Sequence, residues 1–256
     1  MSFLQVDQLP QQGRIGHAPT CLNDVGGAGA IAAVQMARLS GARVHFLTAL
    51  GRDEIGERSL KRLNELNVEA HVAWREQPTR QGISMVGPEG DRAITVIGAR
   101  LQPQANDPLP WDKLAACDGV FATAADAPAL VLARRAKVLT ATPRLRQPTL
   151  QQAAITLDAL IGSGLDPDEQ LQHPLGFPTP RLNIATEGAN GGRVTPGGRY
   201  AAIKPDAPML DSYGCGDSFA AGVTVGLAAG WTGRDAIEFG AAIGARCATW
   251  QGPFER

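Results

Sequence analysis

The chain has 256 residues, a formal net charge of −1, 44% hydrophobic residues and 19% charged ones, the balance of one large globular domain with a sizeable core. Only four of the 24 basic residues are lysines (Lys61, Lys113, Lys137, Lys204) and the arginines are scattered, so the basic footprint that nucleic acid requires is missing. The longest apolar run, FAAGVTVGLAAGW, is too short to cross a bilayer, and the start, MSFLQVDQLPQQG, lacks the basic and apolar regions of a secretory leader.

In chain order, Gly26 to Gly41 reads as two glycines leading into a small-residue helix that ends at a glycine. RVHFLTAL follows as a buried strand, and DEIGERSLKRLNELN as an amphipathic helix with Ile55, Leu60, Leu63 and Leu66 near one face. VEAHVAW, RQGISMVG and RAITVIG read as strands in series, with PEGD turning between the last two. These strands predict a small accessory sheet. From about residue 107 the alternation resumes: PWDKLAAC a short helix, GVFATA a strand, DAPALVLARRA a helix, KVLTAT a strand, TLQQAAI a helix. LDALIG is then a strand, DPDEQLQ a short helix, LNIATEG a strand and GRVTPGGRYAAI a hairpin. A long helix starts at about Asp217, and a last one runs from about Thr232 to Trp250. Such alternation predicts an α/β fold with a mainly parallel sheet covered on both faces. The organisation expected is a single domain over 1–256, with lid strands within about 10–25 and 68–98.

The four cysteines (Cys21, Cys117, Cys215, Cys247) are far apart and form no C-x-x-C pair. Neither a zinc site nor a disulfide framework is indicated, and reduced thiols in the cytoplasm are expected. The histidines (His17, His45, His71, His173) sit in unrelated contexts.

The densest chemistry lies in DSYGCGDSFAAG, Asp211 to Gly222. The first amides of a helix have no internal acceptor, and with the helix dipole they form an anion site. Glycines let a ligand approach the backbone closely. The N–H groups from Gly214 through Cys215 and Gly216 to Asp217 thus predict a cradle for negative charge. A carboxylate at Asp217 would repel a phosphate, unless it serves as a base that takes a proton from a hydroxyl while the amides hold the transferred group. The plain alternative is that Asp217 caps the helix.

This stretch resembles the signature of the ribokinase-like (PfkB) carbohydrate kinases, D-T-x-G-A-G-D-x-F-x-x-G, with Ser212 for Thr and Cys215 for Ala. VDQLPQQG, GGAGAIAAVQMARLSGARVHFLTALGRDEIG and ATEGANGG resemble further family segments in the family's order. The resemblance implies a ribokinase-like three-layer α/β/α sandwich with a small β lid. It implies an ATP-dependent kinase acting on a hydroxyl of a sugar or similar small molecule. Asp217 would be the general base, and the amides of Gly214, Cys215 and Gly216 the anion hole. Thr186, Gly188 and Gly191 would contact ATP phosphates, and Gly26 and Gly27 the sugar. Asp166, in GSGLD, would stand for the Glu of the family's N-x-x-E motif, with Ser163 for its Asn, and would help hold Mg²⁺. Asp211 falls near a monovalent-cation loop, or serves structure. The lid hairpins offer a surface for a homodimer. Arg144 and Arg80 are either meeting points for an anionic substrate or solvated surface.

Two departures stand out. Ile31 occupies the place of the Asn in G-G-x-G-x-N. The acidic sugar-binding residue of the family's first strand would fall at or before Met1, so that core strand is expected to be absent or cut short. The alternative reading is therefore a catalytically weak or inactive sugar- or nucleotide-binding relative with an incomplete acceptor site. A nicotinamide-dependent oxidoreductase is disfavoured, because the G-x-G-x-x-A of GGAGAIA follows no apolar strand. A P-loop kinase is excluded by the lack of any Gly-Lys pair.

Overall fold

The computed structural model describes residues 1–88, 90 and 92–255. Of the expected PEGD turn, Glu89 and Asp91 lie outside the described residues.

The N-terminal third alternates as expected. Helix α1 (Ala28–Ser40) closes at Gly41, whose positive φ lets its amide reach Ala37 O. Strand β3 (Val44–Gly51), helix α2 (Glu54–Glu65) and strand β4 (Val68–Arg75) form a parallel β-α-β unit. Asp53 caps α2 through Gly56 N–H at 2.8 Å and holds Thr79 through its amide and hydroxyl, both at 2.7 Å. Val44, Phe46, Val68 and Ala70 face the core that α1 and α2 share. That packing corrects the placement of Val68–Arg75 in the accessory sheet: the strand pairs with β3 along its whole length.

The accessory sheet is built from β1 (Ser2–Gln5), β2 (Thr20–Asn23), β5 (Gln81–Val86) and β6 (Arg92–Ile97), in the order β2-β1-β5-β6. Strand β1 was not foreseen; it pairs antiparallel with β2 and parallel with β5.

The remaining strands form one sheet in the order β12-β11-β10-β9-β8-β7. It contains β7 (Gly119–Ala122), β8 (Val138–Ala141), β9 (Ala159–Ser163), β10 (Leu182–Thr186), β11 (Gly192–Thr195) and β12 (Gly198–Tyr200). The four strands from β7 to β10 run parallel, and β11 and β12 close the edge as an antiparallel hairpin. Helices α3 (Ala127–Ala133) and α4 (Gln147–Ala153) cover one face, with Leu130, Leu139, Leu150, Leu157 and Leu160 fully buried between layers. Helices α5 (Cys215–Ala228) and α6 (Gly233–Cys247) cover the other, with Phe219, Val223 and Ile237 against Ile161 and Ile184. A Cβ on Gly222 would lie 2.8 Å from Gly240 Cα, so these glycines set how closely α5 and α6 approach.

The result is the expected three-layer α/β/α sandwich. Strands β3 and β7 each pair on one side only and share no ladder. Helix α1 lies across both: a Cβ on Gly29 would meet Phe46 of β3 at 2.8 Å and Thr123, just beyond β7, at 3.1 Å. The parallel strands therefore stand as two groups under one helix.

Candidate active site

The N-terminus of α5 is shaped by the glycines around it. Gly214, the cap residue, has φ 82°, a conformation that costs a side-chain-bearing residue roughly 1–2 kcal/mol. A Cβ there would also lie 3.1 Å from Ile31 Cδ1. Ile31, at the family's Asn position, is fully buried and packs under the loop before α5, to which it offers no polar group. Gly216, one turn position on, has no heavy atom within 4 Å of where its Cβ would stand. The first turn of α5 is therefore open at Gly216, while the Cys215 N–H donates to Ser212 O at 3.4 Å.

Asp217 sits in the first turn of α5. It is half-buried, and among the described residues no hydrogen bond or ion pair to its carboxylate is found. Burial, with the Glu169 carboxylate as a second cause, pushes its pKa up to about 7; Arg144 and Arg92 oppose the shift. An acid with that pKa is half-ionised near neutrality, the range suited to a general base.

The charges around Asp217 come from three separate segments. Arg144, in the 3₁₀ turn Pro143–Leu145 after β8, donates from Nε to Glu169 Oε1 at 2.7 Å and from Nη2 to Asp166. Glu169 ends the 3₁₀ turn Pro167–Glu169 after β9 and accepts from Ser163 N–H at 2.7 Å. Asp166 accepts from Asp168 N–H, and its own amide donates to Ser163 Oγ at 3.2 Å. Arg92, from accessory strand β6, donates to Ser212 Oγ and stacks 5.8 Å from the Tyr213 ring centre. Glu169 and Arg92 escaped the sequence reading, because DPDEQLQ and RAITVIG carry no signal of their destination. Arg144 faces Asp217, whereas no contact ties Arg80 to it among the described residues.

Other expected residues fall around this centre. Gly27 caps α1 with φ 91° and donates to Tyr213 Oη at 2.9 Å, which joins the GGAGA segment to the loop before α5. A Cβ on Gly26 would lie 2.5 Å from Met1 Cγ, and one on Gly82 would meet Met1 Sδ. The Met1 side chain therefore lies between Gly26 and the accessory sheet. Thr186 ends β10 with its hydroxyl on Gly162 O at 3.3 Å, and Gly164 N–H donates to Thr186 O at 2.8 Å. Gly188 (φ 59°) and Gly191 (φ 77°) bend the loop that follows. Glu187 in that loop is tied to Arg193 and Arg199. The Thr186 loop thus adjoins the Ser163–Glu169 segment, which reaches Asp217 through Arg144.

Asp211 has no exposed surface. Its Oδ1 accepts from Tyr213 N–H at 2.8 Å and its Oδ2 from Gly252 N–H at 2.9 Å. Both oxygens are spent on the backbone, an arrangement that clasps the loop before α5 to the C-terminal segment. Burial pushes its pKa up and these amides pull it down. The Cys247 thiol, also buried, donates to Tyr213 O at 3.5 Å, so this thiol packs in the core. The histidines correct the sequence reading: His45 and His71 come together in space.

Solved ribokinases share this fold. The chain superposes on a ribokinase from Thermotoga maritima with TM-score 0.74 at 20% identity, covering 98% of this chain and 90% of that one. A putative ribokinase from Agrobacterium tumefaciens gives 0.79 at 19%, covering 98% and 88%. Arabidopsis thaliana ribokinase, solved with ribose and ATP, gives 0.66 at 18%, covering 98% and 90%. The chain belongs to the pfkB family of carbohydrate kinases, whose sequence model matches residues 4–166 and 157–254. It is also 43% identical over 74 residues to acarbose 7(IV)-phosphotransferase of an Actinoplanes strain; that match spans 27% of this chain and 25% of the Actinoplanes enzyme.

Proposed function

We propose that this protein transfers the terminal phosphoryl group of ATP to a hydroxyl of a sugar or a related small molecule. One observation carries the reading: Asp217, which has no hydrogen-bond or ion-pair partner among the described residues and a pKa near 7, stands in the first turn of α5 beside Gly216, where a side chain would meet open space. Family membership supports a carbohydrate acceptor, and the Arabidopsis ribokinase with ribose and ATP and the acarbose phosphotransferase are in keeping with it.

In this reading the acceptor lies between Gly26, Gly27 and the accessory sheet, which acts as a lid. Asp217 takes the proton of the acceptor hydroxyl as its oxygen forms the new O–P bond. The bond from phosphorus to the bridging oxygen breaks, and ADP leaves with the electron pair. The α5 amides hold the transferring group; each such donor is worth roughly 3 kcal/mol in the transition state. Thr186, Gly188 and Gly191 hold the nucleotide phosphates. Arg144 and Arg92 add positive charge on either side. Asp166 and Glu169 offer the oxygen donors that Mg²⁺ takes through water, and Mg²⁺ there would neutralise phosphate charge. Asp211 is assigned to the loop rather than to an ion. No helix among the described residues is long and apolar enough to cross a membrane.

The test is ADP release with a panel of sugars, sugar phosphates and nucleosides. Acceptor-dependent ADP production is expected. ATP binding with no acceptor-stimulated turnover across the panel would overturn the kinase reading in favour of a binding protein.

A further inference from the structure

His45, Glu69 and His71 lie on the adjoining strands β3 and β4. His45 and Glu69 are register partners and His71 follows two residues later, so all three project from one face. That face is opposite to Val44, Phe46, Val68 and Ala70, which are in the core. The residues are half-buried. Three atoms converge: His45 Nδ1 and His71 Nε2 are 3.1 Å apart, and each is 3.4 Å from Glu69 Oε1.

This near-equilateral triangle has a specific size. Four ligands placed tetrahedrally at zinc bond lengths of about 2.0–2.1 Å stand about 3.3–3.4 Å from one another. The sides of 3.1, 3.4 and 3.4 Å match one face of that tetrahedron. Hydrogen bonding alone explains the triangle less well. A neutral imidazole has one N–H; a single bond between the rings leaves Glu69 Oε1 at a long distance from both.

We propose that His45, Glu69 and His71 form a binding site for a divalent transition ion of the Zn²⁺ class, with water at the fourth position. Two imidazoles and a carboxylate suit zinc and its neighbours rather than Mg²⁺. The groups facing the triangle are Lys113, whose Nζ is 3.2 Å from Glu69 Oε1, and Arg43, whose Nε is 3.9 Å from the other carboxylate oxygen, Oε2. The ion replaces the charge that Lys113 supplies, and that side chain, 43% exposed, is free to turn into solvent. The site lies toward the start of β3, away from Gly51 at its other end, and binds together two strands that stand outside the larger sheet.

The experiment is calorimetric titration of the chelator-treated full chain with Zn²⁺, alongside Mg²⁺ at the same concentration. One equivalent of Zn²⁺ is expected, with no such site for Mg²⁺. In His45→Gln and in His71→Gln the affinity falls by about 100-fold or more, since even outer partners of a metal site are worth about 10–100-fold. In Lys113→Met it is equal to or higher than in the parent protein. With Co²⁺, a four-coordinate visible spectrum without a thiolate charge-transfer band is expected, which separates this site from the cysteines. If the histidine variants misfold, imidazole NMR of the parent decides: Zn²⁺ must shift His45 and His71 and leave His17 and His173 in place. No binding, Zn²⁺ retained in folded histidine variants, weaker binding in Lys113→Met, a thiolate band, or shifts confined to His17 and His173 would each overturn the proposal.

Discussion

Arg144 Nε and Glu169 Oε1 meet at 2.7 Å, and the two charges act on Asp217 in opposite directions. Glu169 raises the Asp217 pKa and Arg144 lowers it. Glu169→Gln should therefore move the acid limb of the kcat/KM profile to lower pH, and Arg144→Met should move it to higher pH. Profiles of both variants check this. If neither limb moves, Asp217 is not the group that titrates.

Asp217→Asn should lower kcat by about 10²–10⁴-fold, the usual worth of general-base help, with ATP affinity kept. The parent enzyme should lose activity as pH falls through about 7, where Asp217 gains its proton. Stability should show the opposite trend. The Asp217 pKa is raised on folding, so the folded state binds the proton more tightly. Its stabilising contribution is complete below the ordinary carboxylate pKa of 3.8 and is lost as pH rises through about 7. Thermal melts should accordingly show Asp217→Asn gaining on the parent between pH 5 and pH 8. A gap that shrinks over that range would contradict the assignment.

Gly216 and Gly214 should respond differently to substitution. At Gly216 a side chain meets open space, so Gly216→Leu should keep its Tm while blocking the phosphoryl group, lowering kcat/KM by about tenfold or more. At Gly214 the positive φ and the nearness of Ile31 make Gly214→Ala lose about 1–2 kcal/mol of stability. Chemical denaturation together with steady-state kinetics separates the two effects. An active Gly216→Leu enzyme would remove the anion hole from the mechanism.

Strand β6 is one edge of the accessory sheet, with Ile94, Val96 and Ile97 exposed at 41%, 46% and 49%. We propose that this edge pairs between two copies of the chain. The parent should sediment as a dimer at micromolar concentration, and Val96→Lys should shift it toward monomer, as charge on an edge strand opposes pairing. A parent that stays monomeric would refute the lid dimer.

The amino-acid sequence by itself determined the alternating elements, their caps and the DSYGCGD constellation. These depend on neighbours within a few residues: a glycine that must take a positive φ, free amides at the start of a helix, an acid in its first turn. Tertiary structure alone decided the rest. Periodicity could not tell whether Val68–Arg75 pairs with the strand after it or the one before; burial of Val68 and Ala70 beside Val44 and Phe46 chose β3. Nothing in RAITVIG or DPDEQLQ marked Arg92 and Glu169 as neighbours of Asp217, because that approach comes from turns at the ends of strands far apart in the chain. The raised pKa of Asp217 likewise belongs to no residue type: it arises from desolvation and a facing carboxylate, which exist only once those segments have converged.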